Sequence, residues 1–123
     1  MKLLFLSGIS LCCLSVVMGA FGAHALKDRL SSYSMSIYDK AVLYQMFHSI
    51  AIIFTVLIGQ VLNTNQYNIC GWIFLFGIMI FSGSLYLLSI TDIKWLGAIT
   101  PIGGTLFIVG WLVMFYLTFK LKI

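Results

Sequence analysis

The stretch CGWIFLFGIMIFSGSLYLLSI, residues 70–90, contains no charged side chain. At ~1.5 Å per residue, a helix of that length reaches roughly 30 Å, the thickness of a bilayer's hydrocarbon core. Lipid offers no partner to a backbone N–H or C=O, so a spanning segment must bond its own and is therefore helical. Three further apolar runs have spanning length: about Leu3–Ala25, Ala41–Leu62 and Leu96–Phe119. Together the four predict an all-α integral membrane protein, a four-helix bundle forming one domain over residues 1–123.

Composition agrees. Hydrophobic residues make up 62% of the chain and charged residues only 8%. A soluble domain of this size needs a far more charged surface to stay dispersed. The net charge of +4 is small and scattered, which argues against a nucleic-acid partner and fits the flanks of membrane helices. Lys2 and the apolar run after it resemble a secretory signal. The run continues for roughly 22 residues, however, beyond the ~7–15 of a signal's apolar core, and is expected to be a mature helix. Cys12, Cys13 and Cys70 form no CxxC pair and read as packing residues.

The connections NTNQYN (63–68) and TDIKW (91–95) are short, which predicts antiparallel neighbours and both termini on the same side. Residues 26–40, LKDRLSSYSMSIYDK, form the long connection. Leu26, Leu30, Tyr33 and Ile37 recur there at spacings of four, three and four, as in an amphipathic segment lying in the interface. A plain polar loop is the other reading. Lys2, Lys120 and Lys122 flank one side, and Lys27, Arg29, Lys40 and Lys94 the other. Three against four leaves the orientation open under the positive-inside rule. Tyr33, Tyr44, Tyr67, Trp72, Tyr86 and Trp95 are expected in the interfacial aromatic belts.

Small residues mark the packing faces. Gly8, Cys12, Ser15, Gly19 and Gly22 follow one another at spacings of four and three along the first helix. In lipid, helices gain little from hiding apolar surface, and close backbone approach through small side chains drives their association. Gly83, Pro101, Gly103 and Gly104 supply similar positions on the third and fourth helices. The second helix carries a matching face: Ala41, Gln45, His48, Ile52, Thr55 and Gly59.

The candidate polar site is His48, with Gln45, Tyr44, Ser84 and His24. His48 lies well inside a span, and polar residues there usually face the bundle interior. Tyr44 and Gln45 sit four and three residues before it, within hydrogen-bonding reach on a helix. With a span starting at Ala41, Gly19, His48, Ser84 and Gly103 are expected on the same side of the bilayer centre, toward the long connection. His24 is expected further out, ~10 Å from His48 along the membrane normal, too far for shared metal ligation. No metal, cofactor or catalytic residue is expected.

With these segments in place, the chain resembles the family called domain of unknown function 423, also known as uncharacterised protein family 0382. The resemblance rests on GAFGAHAL (19–26), YQMFH (44–48), FSGSLYLL (81–88), TPIGG (100–104) and GW (110–111), in the family's order. It implies a small multi-pass membrane protein of bacteria, related to a vertebrate transmembrane protein, without an established activity. No catalytic or ligand residue is carried over from it. Gly19, Gly22, His24, Tyr44, Gln45, His48, Ser82, Gly83, Ser84, Pro101, Gly103 and Gly104 match its signature positions. The segment SIYDKAVL (36–43) departs from it, with Asp39 and Lys40 where an apolar or hydroxyl residue is more usual.

Three functions compete. The first is a structural or interaction component of the plasma membrane, acting as a homo-oligomer or with a larger membrane partner. The second is a small-solute or ion carrier with a polar cavity around His48. The third is an intramembrane or interfacial enzyme. No span carries Asp, Glu, Lys or Arg in its interior, which weighs against coupled transport through carboxylates. No serine or cysteine nucleophile is visibly paired with an imidazole, which weighs against the enzyme.

Overall fold

A computed structural model describes residues 1–121, and Lys122 lies outside the described residues. The chain folds into α1 (Lys2–Phe21), α2 (Ser32–Val61), α3 (Asn68–Thr91) and α4 (Thr100–Phe119). A π-helical turn at Gly22–Leu26 ends α1, and a 3-10 turn at Lys94–Ala98 leads into α4. All four helical segments are long and apolar enough to cross a membrane. The fold is an all-α four-helix membrane bundle.

Most of the connection expected over 26–40 is part of α2. The helix begins at Ser32 because Ser31, in extended conformation, accepts a hydrogen bond from the Ser34 N–H at 3.1 Å. That bond satisfies one of the donors a helix start leaves free. The apolar spacing seen there does not form one buried face: Ile37 is buried, whereas Tyr33 is 70% exposed. With α2 running over 30 residues, its midpoint falls between Met46 and Phe47. His48 therefore lies near mid-length of α2.

α2 and α3 form the spine. Ile37 packs with Leu85 and Leu88 at one end, Thr55 meets Gly71 further along, and Tyr67 closes on Gly59 at the other end. α1 lies along α2, with Gly8 against Ile52 and Ile53 and Gly22 against Tyr38, so the pairs run in opposite chain order. α4 lies along α3 in the same manner, Gly103 meeting Phe81 and Gly110 meeting Phe74. Leu4 of α1 also reaches Gly71 of α3. All six residues of the small and polar face of α2 are buried.

The glycines are used unevenly. A Cβ on Gly103 would stand 2.7 Å from Phe81 Cβ and 2.8 Å from Phe81 Cα, so the α3–α4 contact requires its absence. Gly8 and Gly22 are similarly close-packed, and buried Ser15 holds the seam between them by bonding Cys12 O and Met46 Sδ. Gly19 makes ordinary contact with Val42, and Gly104 with the Phe81 ring. Gly83 departs from the packing expectation, because a Cβ there would meet nothing within 4 Å. Pro101 departs too: it is exposed in the first turn of α4, where its missing N–H costs little.

Candidate functional site

The polar residues expected together fall into two separate groups. Gln45 and Tyr86 belong to one. Gln45 Nε2 donates to Leu11 O of α1 at 3.0 Å, and its Oε1 accepts from the Tyr86 hydroxyl of α3 at 2.8 Å. The amide thus ties three helices through both of its ends. Tyr38 packs edge-on against Tyr86, with ring centroids 5.2 Å apart, and donates to Met18 O at 2.7 Å. Ser82 donates to Ala41 O at 2.8 Å. Hydrogen bonds between membrane helices are typically worth about 1 kcal/mol each, so this cluster acts as a lock.

Tyr86 and Tyr67 were expected among the interfacial aromatics. Tyr86 turns its hydroxyl inward to Gln45. Tyr67 is buried, its hydroxyl 3.2 Å from Thr118 Oγ1. Each finds a bonding partner on a neighbouring helix, which no spacing in the sequence announces.

His48 sits in a different setting, surrounded by aromatic rings. It is 4% exposed. Its ring lies parallel to Phe107 of α4, with centroids 3.5 Å apart and planes 9° apart. Phe74 and Phe47 complete the surround, with centroids at 5.5 Å from the imidazole in each case. The indole N–H of Trp111 reaches His48 Nε2 at 3.2 Å, and Nδ1 lies 2.9 Å from Tyr44 O. An indole N–H only donates, so Nε2 must accept. Nδ1 then carries the proton and donates to the Tyr44 carbonyl one turn back. Both ring nitrogens are occupied within the bundle.

Of the expected neighbours, only Tyr44 reaches His48, and through its backbone carbonyl. Gln45 points to the other group. Ser84 bonds Thr100 Oγ1 at 2.7 Å, near the start of α4. His24 lies exposed in the π-helical turn. Phe107 and Trp111 join the site with no signal of their own in the sequence beyond GW (110–111), one of the motifs that carry the family resemblance. Nothing in a linear sequence pairs residue 48 with residue 111.

A cavity of about 670 Å³ adjoins the imidazole between α2 and α4, with Phe81 of α3 at its base. Tyr44, Phe47, Phe107 and Trp111 supply its aromatic walls, and Pro101 and Thr105 lie at one end. Leu43 and Ile108 at its rim are 63% and 62% exposed, so it opens sideways from the bundle.

The family model described as "Protein of unknown function (DUF423)" matches residues 18–104. The chain belongs to that family. The match runs from the end of α1 to the first turns of α4. A protein of Staphylococcus epidermidis named "UPF0382 membrane protein" is 48% identical over 122 residues, covering 98% of each chain. A UPF0382 membrane protein of Staphylococcus haemolyticus is also 48% identical, and one of Staphylococcus aureus 46%, with the same coverage. No solved structure matches. This member of the family is thus a multi-pass integral membrane protein, and in staphylococci the bilayer concerned is the plasma membrane.

Proposed function

We propose that this family member is a structural or interaction component of the plasma membrane, and neither a carrier nor an enzyme. One observation carries the reading: both nitrogens of His48 are spent on bonds inside the bundle. A proton relay needs a group that exchanges its proton along a chain of partners. Here the imidazole bonds a backbone carbonyl on its own helix and an indole that has no acceptor atom. The opposite chain order of the helix pairs supports both termini on the same side.

Two experiments test this. In reconstituted vesicles, proton and small-ion flux is expected to match that of protein-free vesicles, and His48→Ala is expected to leave it unchanged while lowering thermal stability. Flux that His48→Ala abolishes would overturn the reading. Cross-linking in native membranes at ordinary expression levels is expected to trap either a homo-oligomer or a larger membrane partner. Monomer alone, in every membrane sampled, would count decisively against an interaction role.

A further inference from the structure

We infer that the cavity between α2 and α4 is a binding site for a neutral, lipid-soluble molecule with a flat ring bearing a hydrogen-bond-accepting oxygen. Its volume, about 670 Å³, falls within the ~300–1,000 Å³ of small-molecule sites. Among the described residues no charged side chain lines it, which disfavours an ionic ligand. The walls are aromatic faces: Tyr44, Phe47, Phe81, Phe107 and Trp111. Rings pack on such walls in offset or edge-to-face contact, and a flat ring loses little conformational entropy on entering.

The phenol of Tyr44 supplies the polar contact. Its ring is held against Phe81, with centroids 4.6 Å apart. Among the described residues no side chain or carbonyl bonds its hydroxyl. Tyr44 lies in the apolar part of α2, beyond Lys40, and lipid chains filling the groove would offer its hydroxyl no acceptor. A ligand oxygen would satisfy it. Thr105 Oγ1 donates to Pro101 O at 2.9 Å and keeps lone pairs free to accept from a hydroxyl on the same ligand. Because the rim opens sideways, the ligand enters from the bilayer and leaves any tail among the lipid chains. The site is independent of whether the chain has a protein partner.

The test uses the full chain in lipid nanodiscs with Trp72→Phe and Trp95→Phe, so that Trp111 alone reports. The probe is a 1,4-naphthoquinone with a short isoprenyl tail, whose ring quenches indole fluorescence on contact. Saturable quenching is expected, about five- to tenfold weaker in affinity with Tyr44→Phe, which removes one hydrogen bond. Gly104→Leu is expected to abolish saturation by filling the cavity, since a Cβ there has room beside the Phe81 ring at 3.6 Å. Circular dichroism melts identify any variant that fails to fold. Quenching that rises linearly with probe and is equal in all three proteins would overturn the inference. Equal competition by a ringless isoprenyl alcohol would overturn it as well, by assigning the cavity to lipid chains.

Discussion

Gly103→Ala and Gly83→Ala make the same chemical change on adjoining helices, and the structure assigns them opposite effects. At Gly103 the added carbon would stand 2.7–2.8 Å from Phe81 Cβ and Cα. Carbon atoms rest at ~3.5–4.0 Å, so α4 must withdraw by about 1 Å. A gap of ~0.5–1 Å forfeits a quarter to a half of each contact's attraction. The contacts at risk are those of Phe107 over Gly77 and Phe74 under Gly110, across the same interface. If half of each ring is counted against this interface, ~40–60 contacts per side chain at ~0.1–0.2 kcal/mol give the two rings together on the order of 6 kcal/mol here. Losing a quarter to a half costs about 1.5–3 kcal/mol, in line with the ~1–3 kcal/mol of overpacked cores.

At Gly83 the added carbon meets nothing, and replacing glycine by alanine inside a helix gains up to ~1 kcal/mol. Gly104→Ala is the internal control, because its Cβ would make ordinary 3.6 Å contacts with the Phe81 ring. Unfolding in maltoside micelles, driven by added dodecyl sulfate and followed by far-ultraviolet circular dichroism, measures all three. The expected order of stability places Gly83→Ala at or above the parent, Gly104→Ala near it, and Gly103→Ala well below. If Gly103→Ala matches Gly104→Ala, the two helices do not meet backbone to backbone at this point, and the reasoning fails.

Two other predictions concern the first polar group and the end of α1. Tyr86→Phe leaves Gln45 Oε1 without its donor and is expected to cost about 1 kcal/mol. Combined with Gln45→Leu it should add almost nothing further, whereas additive losses in a double-mutant cycle would show that the two do not interact. Gly22→Ala places a Cβ within 2.9 Å of Tyr38 Cδ1, with Cε1 closer still, and is expected to lower stability by about 1–3 kcal/mol. Tyr38→Leu in the same chain should recover part of the loss in thermal melts, because it removes the ring that collides; no recovery would place the damage elsewhere.

Much of the architecture is legible in the chain itself. A run such as 70–90 has one stable conformation in lipid, because its backbone groups have no other partners. That constraint alone dictates four helices. The face Ala41, Gln45, His48, Ile52, Thr55 and Gly59 is also readable, since 3.6-residue periodicity places it on one side of α2, and the structure buries all of it. The start of α2 was less legible: its capping serine and the apolar spacing beyond it suit an interfacial segment as well as a helix.

What tertiary structure alone decided is which polar group meets which. Gln45 and His48 are three residues apart, yet Gln45 turns to Leu11 and Tyr86 while His48 turns to Trp111. Gly83 and Gly103 look alike as small residues in membrane helices, but only Gly103 faces a neighbouring backbone. Local sequence sets where a side chain lies around its own helix. Whether an indole, a phenol or lipid stands opposite depends on how far each helix is shifted along its neighbour. That register comes from the summed packing of Gly8, Gly71, Gly77, Gly103 and Gly110 against bulky partners, and no single segment contains it.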